Sequence, residues 1–149
     1  MKVLLAIDED CCKDSIVQFV TNREWAPQTH FLVLHVIDSK TENLEDAIFV
    51  DDRKAAARLV RKIALAIRDA FRTPYVEEKI EIGRPKEKID EIAREWGADL
   101  TVVGSQGKFL DYLFGSVSES TITKSDCSVL VIKQKASDKS SSKAVALSS

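Results

Sequence analysis

Leu100-Thr101-Val102-Val103 runs directly into Gly104-Ser105-Gln106-Gly107, and after Lys108 to Phe114 the chain continues as Gly115-Ser116-Val117-Ser118. The apolar run has the length of a short buried strand, and the serines after the third glycine suit the start of a helix. Three of the five glycines of the chain fall in this segment, so close backbone approach is concentrated where a strand hands over to a helix. Free N–H groups at a helix N-terminus attract an anion. A strand, a glycine loop and a serine-capped helix start together read as a phosphate cradle. Neither G-x-G-x-x-G nor G-x-x-x-x-G-K-[ST] is present, so the reading rests on geometry. A plain tight turn, with the serines serving only as caps, is the other use of the same residues.

Outward from this segment the chain alternates two periodicities. Val3-Leu4-Leu5-Ala6-Ile7, ending at Asp8, and Phe31 to Ile37 are continuous apolar runs, which suit strands buried on both faces. Tyr75 to Ile82 interleaves Val76, Ile80 and Ile82 with Glu77, Lys79 and Glu81, as a more exposed strand does, and Val129 to Ile132 is a last apolar run. Ile16, Phe19 and Val20 predict a helix from about Lys13 to Arg23. Leu59, Ile63, Ala66, Ile67 and Ala70 predict an amphipathic helix within about Glu45 to Phe71. Ile89, Ile92, Ala93 and Trp96 predict a third, entered at Pro85 and stopped by Gly97. Ser116 to about Lys124 is the fourth. Alternating strands and helices predict an α/β fold with a parallel sheet, helices on both faces and right-handed crossovers. From about Lys133 the composition turns to Lys, Ser and Ala, which reads as a disordered tail.

A length of 149 residues suits one domain with a real core. Its 22 basic and 24 acidic residues nearly cancel, which leaves no electrostatic footprint for nucleic acid or a membrane surface. No apolar stretch reaches the length of a membrane span, and Met1 to Asp8 lacks the apolar region and cleavage site of a signal peptide. Cys11, Cys12 and Cys127 are odd in number, two are adjacent, and no histidine stands at metal-ligand spacing. Adjacent cysteines make poor disulfide partners, so the pattern suits a reducing cytoplasm and small passive side chains. His35, inside a buried strand, reads as packed or hydrogen-bonded.

The pieces, in this order, resemble the universal stress proteins. They are Val3 to Asp8, Leu34-His35-Val36-Ile37-Asp38, Gly83-Arg84-Pro85, Gly97 through Gly107, Gly115 through Glu119, and Cys127 to Ile132. The resemblance covers about residues 1 to 133 and leaves 134 to 149 as the tail. It implies an open five-stranded parallel sheet of strand order 3-2-1-4-5, Rossmann-like and of the adenine nucleotide alpha hydrolase type. It also implies a cytoplasmic homodimer, often paired through the last strand, here Val129 to Ile132. The ligand it implies is ATP, alone or with Mg²⁺. Asp8, beside Ala6, would hydrogen-bond the ribose hydroxyls, and the backbone of Val36 would meet the adenine edge. Amides from Gly104 to Gly107, and from Gly115 through Ser116 and Val117 to Ser118, would hold the phosphates. With that strand order the crevice lies where the order reverses, between the first and fourth strands. The ATP-binding class carries G-x2-G-x9-G-[ST]. Here seven residues, Lys108 to Phe114, stand between the second and third glycines, and Asp10 stands where the family usually has a serine.

Three functions compete on these residues. The first is an ATP-binding stress-response or regulatory module. No residue stands out as a general base for water, so little or no hydrolysis is expected and the chain is not read as a dedicated enzyme. The second is a dimeric interaction protein of the class that binds no nucleotide, supported by the shortened loop. The third, an adenylating enzyme, requires S-G-G-x-D-S after the first strand, where this chain has Asp8-Glu9-Asp10-Cys11-Cys12-Lys13.

Overall fold

The continuous apolarity of the first strand follows from what lies on either side of it. In the computed structural model, β1 (Lys2–Ala6) is flanked by β2 (His30–Asp38) and β4 (Leu100–Gly104), both parallel to it. Successive side chains of a strand face opposite layers. Val3, Leu5 and Ile7 pack with Ile16 and Val20 of α1 (Lys13–Thr21) and with Val60, Ile63 and Ile67 of α2 (Asp46–Phe71). Leu4 and Ala6 pack with Ile89, Ile92 and Ala93 of α3 (Pro85–Trp96). Each such aliphatic burial contributes roughly 1.5–3 kcal/mol. Both layers therefore hold the centre of the sheet firmly in register. The structure describes residues 1–8, 12–38, 46–104, 127–134 and 142–147, with the backbone alone at 46–51, 134 and 142–147. The expected helix at Ser116–Lys124 lies outside the described residues.

β3 (Val76–Gly83) pairs on the far side of β2, and β5 (Ser128–Gln134) on the far side of β4, again parallel. The five strands run in the order β3-β2-β1-β4-β5, with helices on both faces, as expected. Pro85 opens α3, where its missing N–H costs nothing. Gly97 closes it at φ 75°, ψ 44°, a left-handed cap in which Ala98 N–H reaches Ala93 O at 2.8 Å. Lys2 ties this cap to β1: its N–H donates to Asp99 Oδ2 at 2.8 Å and its Nζ to Trp96 O at 2.9 Å.

Residues 142–147 differ from a tail outside the fold. They form β6 (Ser142–Leu147), antiparallel to β5, in a register running from Val129↔Leu147 to Gln134↔Ser142. The physical reason lies in the sheet edge. An unpaired strand edge is a row of open N–H and C=O groups, and Ala144-Val145-Ala146-Leu147 is apolar enough to take it up. The edge of Val129–Ile132 expected to meet a second copy is thus occupied by this chain's own strand.

Candidate functional site

The sheet order reverses at β1: β2 lies on one side of it and the later strand β4 on the other. Connections diverge above that point and leave a crevice outside the C-terminal ends of the strands. Ala6 ends β1 and Gly104 ends β4, and both are buried. The pairing Leu5↔Val102, carried two residues further, sets Ile7 level with Gly104. The pairing Ala6↔Leu34, carried on likewise, sets Asp8 level with Val36. Ala6, Asp8, Val36 and Gly104 are therefore brought together at one crevice. Gly107, Gly115, Ser116, Val117 and Ser118 lie outside the described residues.

The direction of the backbone groups follows from the bonds on either side of β2. Phe31 donates its N–H to Tyr75 O at 2.9 Å, so odd-numbered residues of β2 turn toward β3. Leu34 O accepts the Ile7 N–H at 2.8 Å, so even-numbered residues turn toward β1. Val36 is even-numbered and stands beyond Ala6, where β1 has ended. Its N–H and C=O point toward the crevice side. Asp8 is half-buried and already engaged with a neighbouring group. The backbone thus sets a main-chain donor and acceptor at Val36, the residue Asp8 and a glycine at a strand end near one another at the point where the strand order reverses.

The structure also brings in a residue to which the sequence assigned no place in the site. His35 Nδ1 lies 2.7 Å from the carbonyl oxygen of Ile7, across from β2 to the end of β1. Its expected packed or hydrogen-bonded state holds, but the partner is the residue next to Asp8. No spacing rule announces such a contact. The only sequence signal is a polar ring one residue before Val36 in an otherwise apolar strand.

The cysteines divide. Cys127 is a buried thiol beside the Thr101 hydroxyl at 3.2 Å; burial pushes its pKa up from the usual 9.0, and the Thr101 hydrogen bond opposes that only in part. Cys12 is buried directly before α1 with φ 64°, and it is disulfide-bonded, which corrects the expectation of reduced, passive cysteines. Cys11 lies outside the described residues.

A groove of about 260 Å³ opens elsewhere, between β3 and α3, lined by Glu77, Glu78, Glu95 and Lys79 over Leu32, Ile92 and Trp96. Glu78 turns its carboxylate to Arg68 of α2 on the other face of the sheet, and the remaining Glu77 and Glu95 against one lysine make the groove unsuited to phosphate, so the strand ends at β1 and β4 remain the candidate site. Among the described residues no group of three or more His, Cys, Asp or Glu side chains could hold a metal ion. No helix among them is long and apolar enough to cross a membrane.

The model of the universal stress protein family matches residues 1–133. The chain is 44% identical over 62 residues to the universal stress protein MJ0577 of Methanocaldococcus jannaschii, a segment that is 40% of this chain and 38% of that protein. The solved structure of MJ0577 superposes with a TM-score of 0.73 at 31% identity, covering 91% of this chain and 97% of that one. A protein of Staphylococcus epidermidis named for the same family is 31% identical over 107 residues, 68% of this chain and 64% of the relative. In sequence, the chain thus spans less than two thirds of the length of these relatives. A family member from Arabidopsis thaliana, solved with AMP bound, shares the fold with a TM-score of 0.59 at 23% identity, over 95% of this chain and 97% of that one.

Proposed function

We propose that this chain, which belongs to the universal stress protein family, is an adenine-nucleotide-binding stress-response or regulatory module whose ligand is ATP, alone or with Mg²⁺. The observation that carries the reading is the level placement of Asp8 and Val36 at the reversal point of the sheet, with Gly104 beside them. Adenine offers a donor and an acceptor on one edge, which match the N–H and C=O of Val36. The ribose offers hydroxyl donors, which match the Asp8 carboxylate. Gly104 opens the phosphate side, and Gly107, Gly115, Ser116, Val117 and Ser118 are the residues we assign to continue it. The AMP held by the Arabidopsis relative is the same class of ligand on the same fold. Mg²⁺ enters on the nucleotide's phosphates and asks for one or two protein oxygens at most. We assign little or no hydrolysis, since Asp8 is taken by the ribose.

We further place the chain in the cytoplasm as a homodimer. Pairing through Val129–Ile132 and pairing with β6 exclude one another, because an edge has a single row of backbone groups. The nucleotide reading is tested by extracting nucleotide from the purified protein and by melting it with AMP, ADP and ATP. A site with a micromolar Kd raises stability by about 3–4 kcal/mol at millimolar ligand. No co-purified nucleotide and no shift with any of the three would replace this reading with the class that binds none.

A further inference from the structure

His35 lies on the α1/α2 side of the sheet, in alternation with Phe31 and Val33. A carbonyl oxygen only accepts, so in the contact with Ile7 O the Nδ1 atom carries the proton. This fixes the tautomer of the neutral ring, and a protonated ring keeps the same bond. The Ile7 N–H is held as well, by Leu34 O at 2.8 Å. Both backbone groups of Ile7 are thus gripped by β2, one through the main chain and one through an imidazole. The Ile7 carbonyl belongs to the same rigid peptide plane as the N–H of Asp8. Holding that oxygen fixes the plane from which Asp8 leaves β1.

We propose that His35 is a positioning residue for the nucleotide: it clamps the Ile7–Asp8 peptide plane and so sets the Asp8 carboxylate level with Val36. The inference rests on the nucleotide reading above and adds to it a residue that touches no ligand. A histidine that only fills the core would affect stability and leave the affinity of the folded protein alone.

Calorimetric titration with AMP of the wild-type chain, His35→Leu and His35→Asn separates the two. Leucine removes the donor. Asparagine puts an amide N–H where Nδ1 stands. The expected result is AMP binding weakened about three- to tenfold by His35→Leu, the net worth of one hydrogen bond, and restored to within about twofold by His35→Asn. Exchange of the Asp8 amide hydrogen, followed by NMR, is expected to speed up in the leucine variant and to recover in the asparagine one. Equal AMP affinity in all three proteins, or an asparagine variant as weak as the leucine one, overturns the proposal. If the wild-type chain takes no AMP, the nucleotide reading fails on its own, and Asp8 exchange decides the clamp: unchanged exchange in His35→Leu overturns it. Should the leucine variant not fold, His35→Gln, whose amide reaches the ε position, supplies the comparison without a donor at the Nδ1 position.

Discussion

Replacing Asp8 by alanine is the most direct perturbation of the proposed ribose contact. The Asp8 side chain is half-buried at the end of β1, level with Val36. A hydrogen bond to a charged acceptor is worth about 1.5–3 kcal/mol, and partial exposure places each one here at the lower end. Two ribose hydroxyls then give about 3 kcal/mol in total, or roughly a hundredfold in Kd at about 1.4 kcal/mol per tenfold. The wild-type chain is accordingly expected to bind 2′-deoxy-AMP about tenfold more weakly than AMP. Asp8→Ala is expected to bind AMP about a hundredfold more weakly and to lose the preference between the two. Calorimetric titration of both proteins with both nucleotides measures all four constants, and circular dichroism confirms that the variant is folded. The reasoning is refuted if Asp8→Ala binds AMP with unchanged affinity. It is equally refuted if the variant keeps the wild-type preference for AMP, since some other group would then read the hydroxyl.

Two further outcomes follow from the same structure. The folded state holds the Cys127 proton more tightly than the unfolded chain does, so its contribution to stability is complete below about pH 9 and is lost as pH rises through the raised folded value. Chemical unfolding between pH 7 and 10 is expected to show this alkaline loss, flattened in Cys127→Ala; an unaltered profile in the variant would reassign the loss to other groups. Ending the chain after Gln134 removes β6 and leaves the outer edge of β5 open, so light scattering is expected to find dimers at concentrations at least about tenfold lower than for the full chain. Dimerisation indifferent to the deletion would place the homodimer contact elsewhere.

The legible parts of the fold were those in which a local pattern and the tertiary demand coincide. Val3 to Ile7 and Phe31 to Ile37 are apolar without alternation because α1 and α2 cover one face of the sheet and α3 the other. Pro85 and Gly97 bound α3 as their backbone preferences require. β6 was not legible. Composition judges Lys133 to Ser149 as poor core material, but a six-residue strand on an open edge needs only backbone pairing and few apolar side chains. The state of Cys12 was equally hidden, because no sequence rule anticipates its left-handed backbone at the start of α1. In the proposed site, the strand-end positions of Asp8, Val36 and Gly104 follow from the strand order, while their role is a proposal. The hydrogen bond of His35 to Ile7 depends on a ring reaching between two strands, and strand patterns carry no information about that.

The strand ends and the glycine segment divide the proposed site into halves with different origins. Asp8 and Val36 sit at strand ends, where the β1–β2 ladder and the packing of Leu5, Ile7, Leu34 and Val36 fix their places. In the nucleotide reading proposed above, base and ribose recognition is a property of the sheet, and loop length has no direct hold on it. In the same proposed reading, the seven residues between Gly107 and Gly115 would bear on the phosphates alone. Two residues fewer than the nine of the G-x2-G-x9-G-[ST] pattern shorten the reach of an extended segment by at most about 7 Å. That is comparable to the distance across one phosphoanhydride link and its neighbours, so under the proposed function the deletion is expected to act on how many phosphates are grasped before it acts on whether adenosine is. Titrations with AMP, ADP and ATP read the two halves separately. An affinity that climbs from AMP to ATP assigns grip to the Gly104–Ser118 segment, and one that stays level assigns the binding to the strand ends around Asp8.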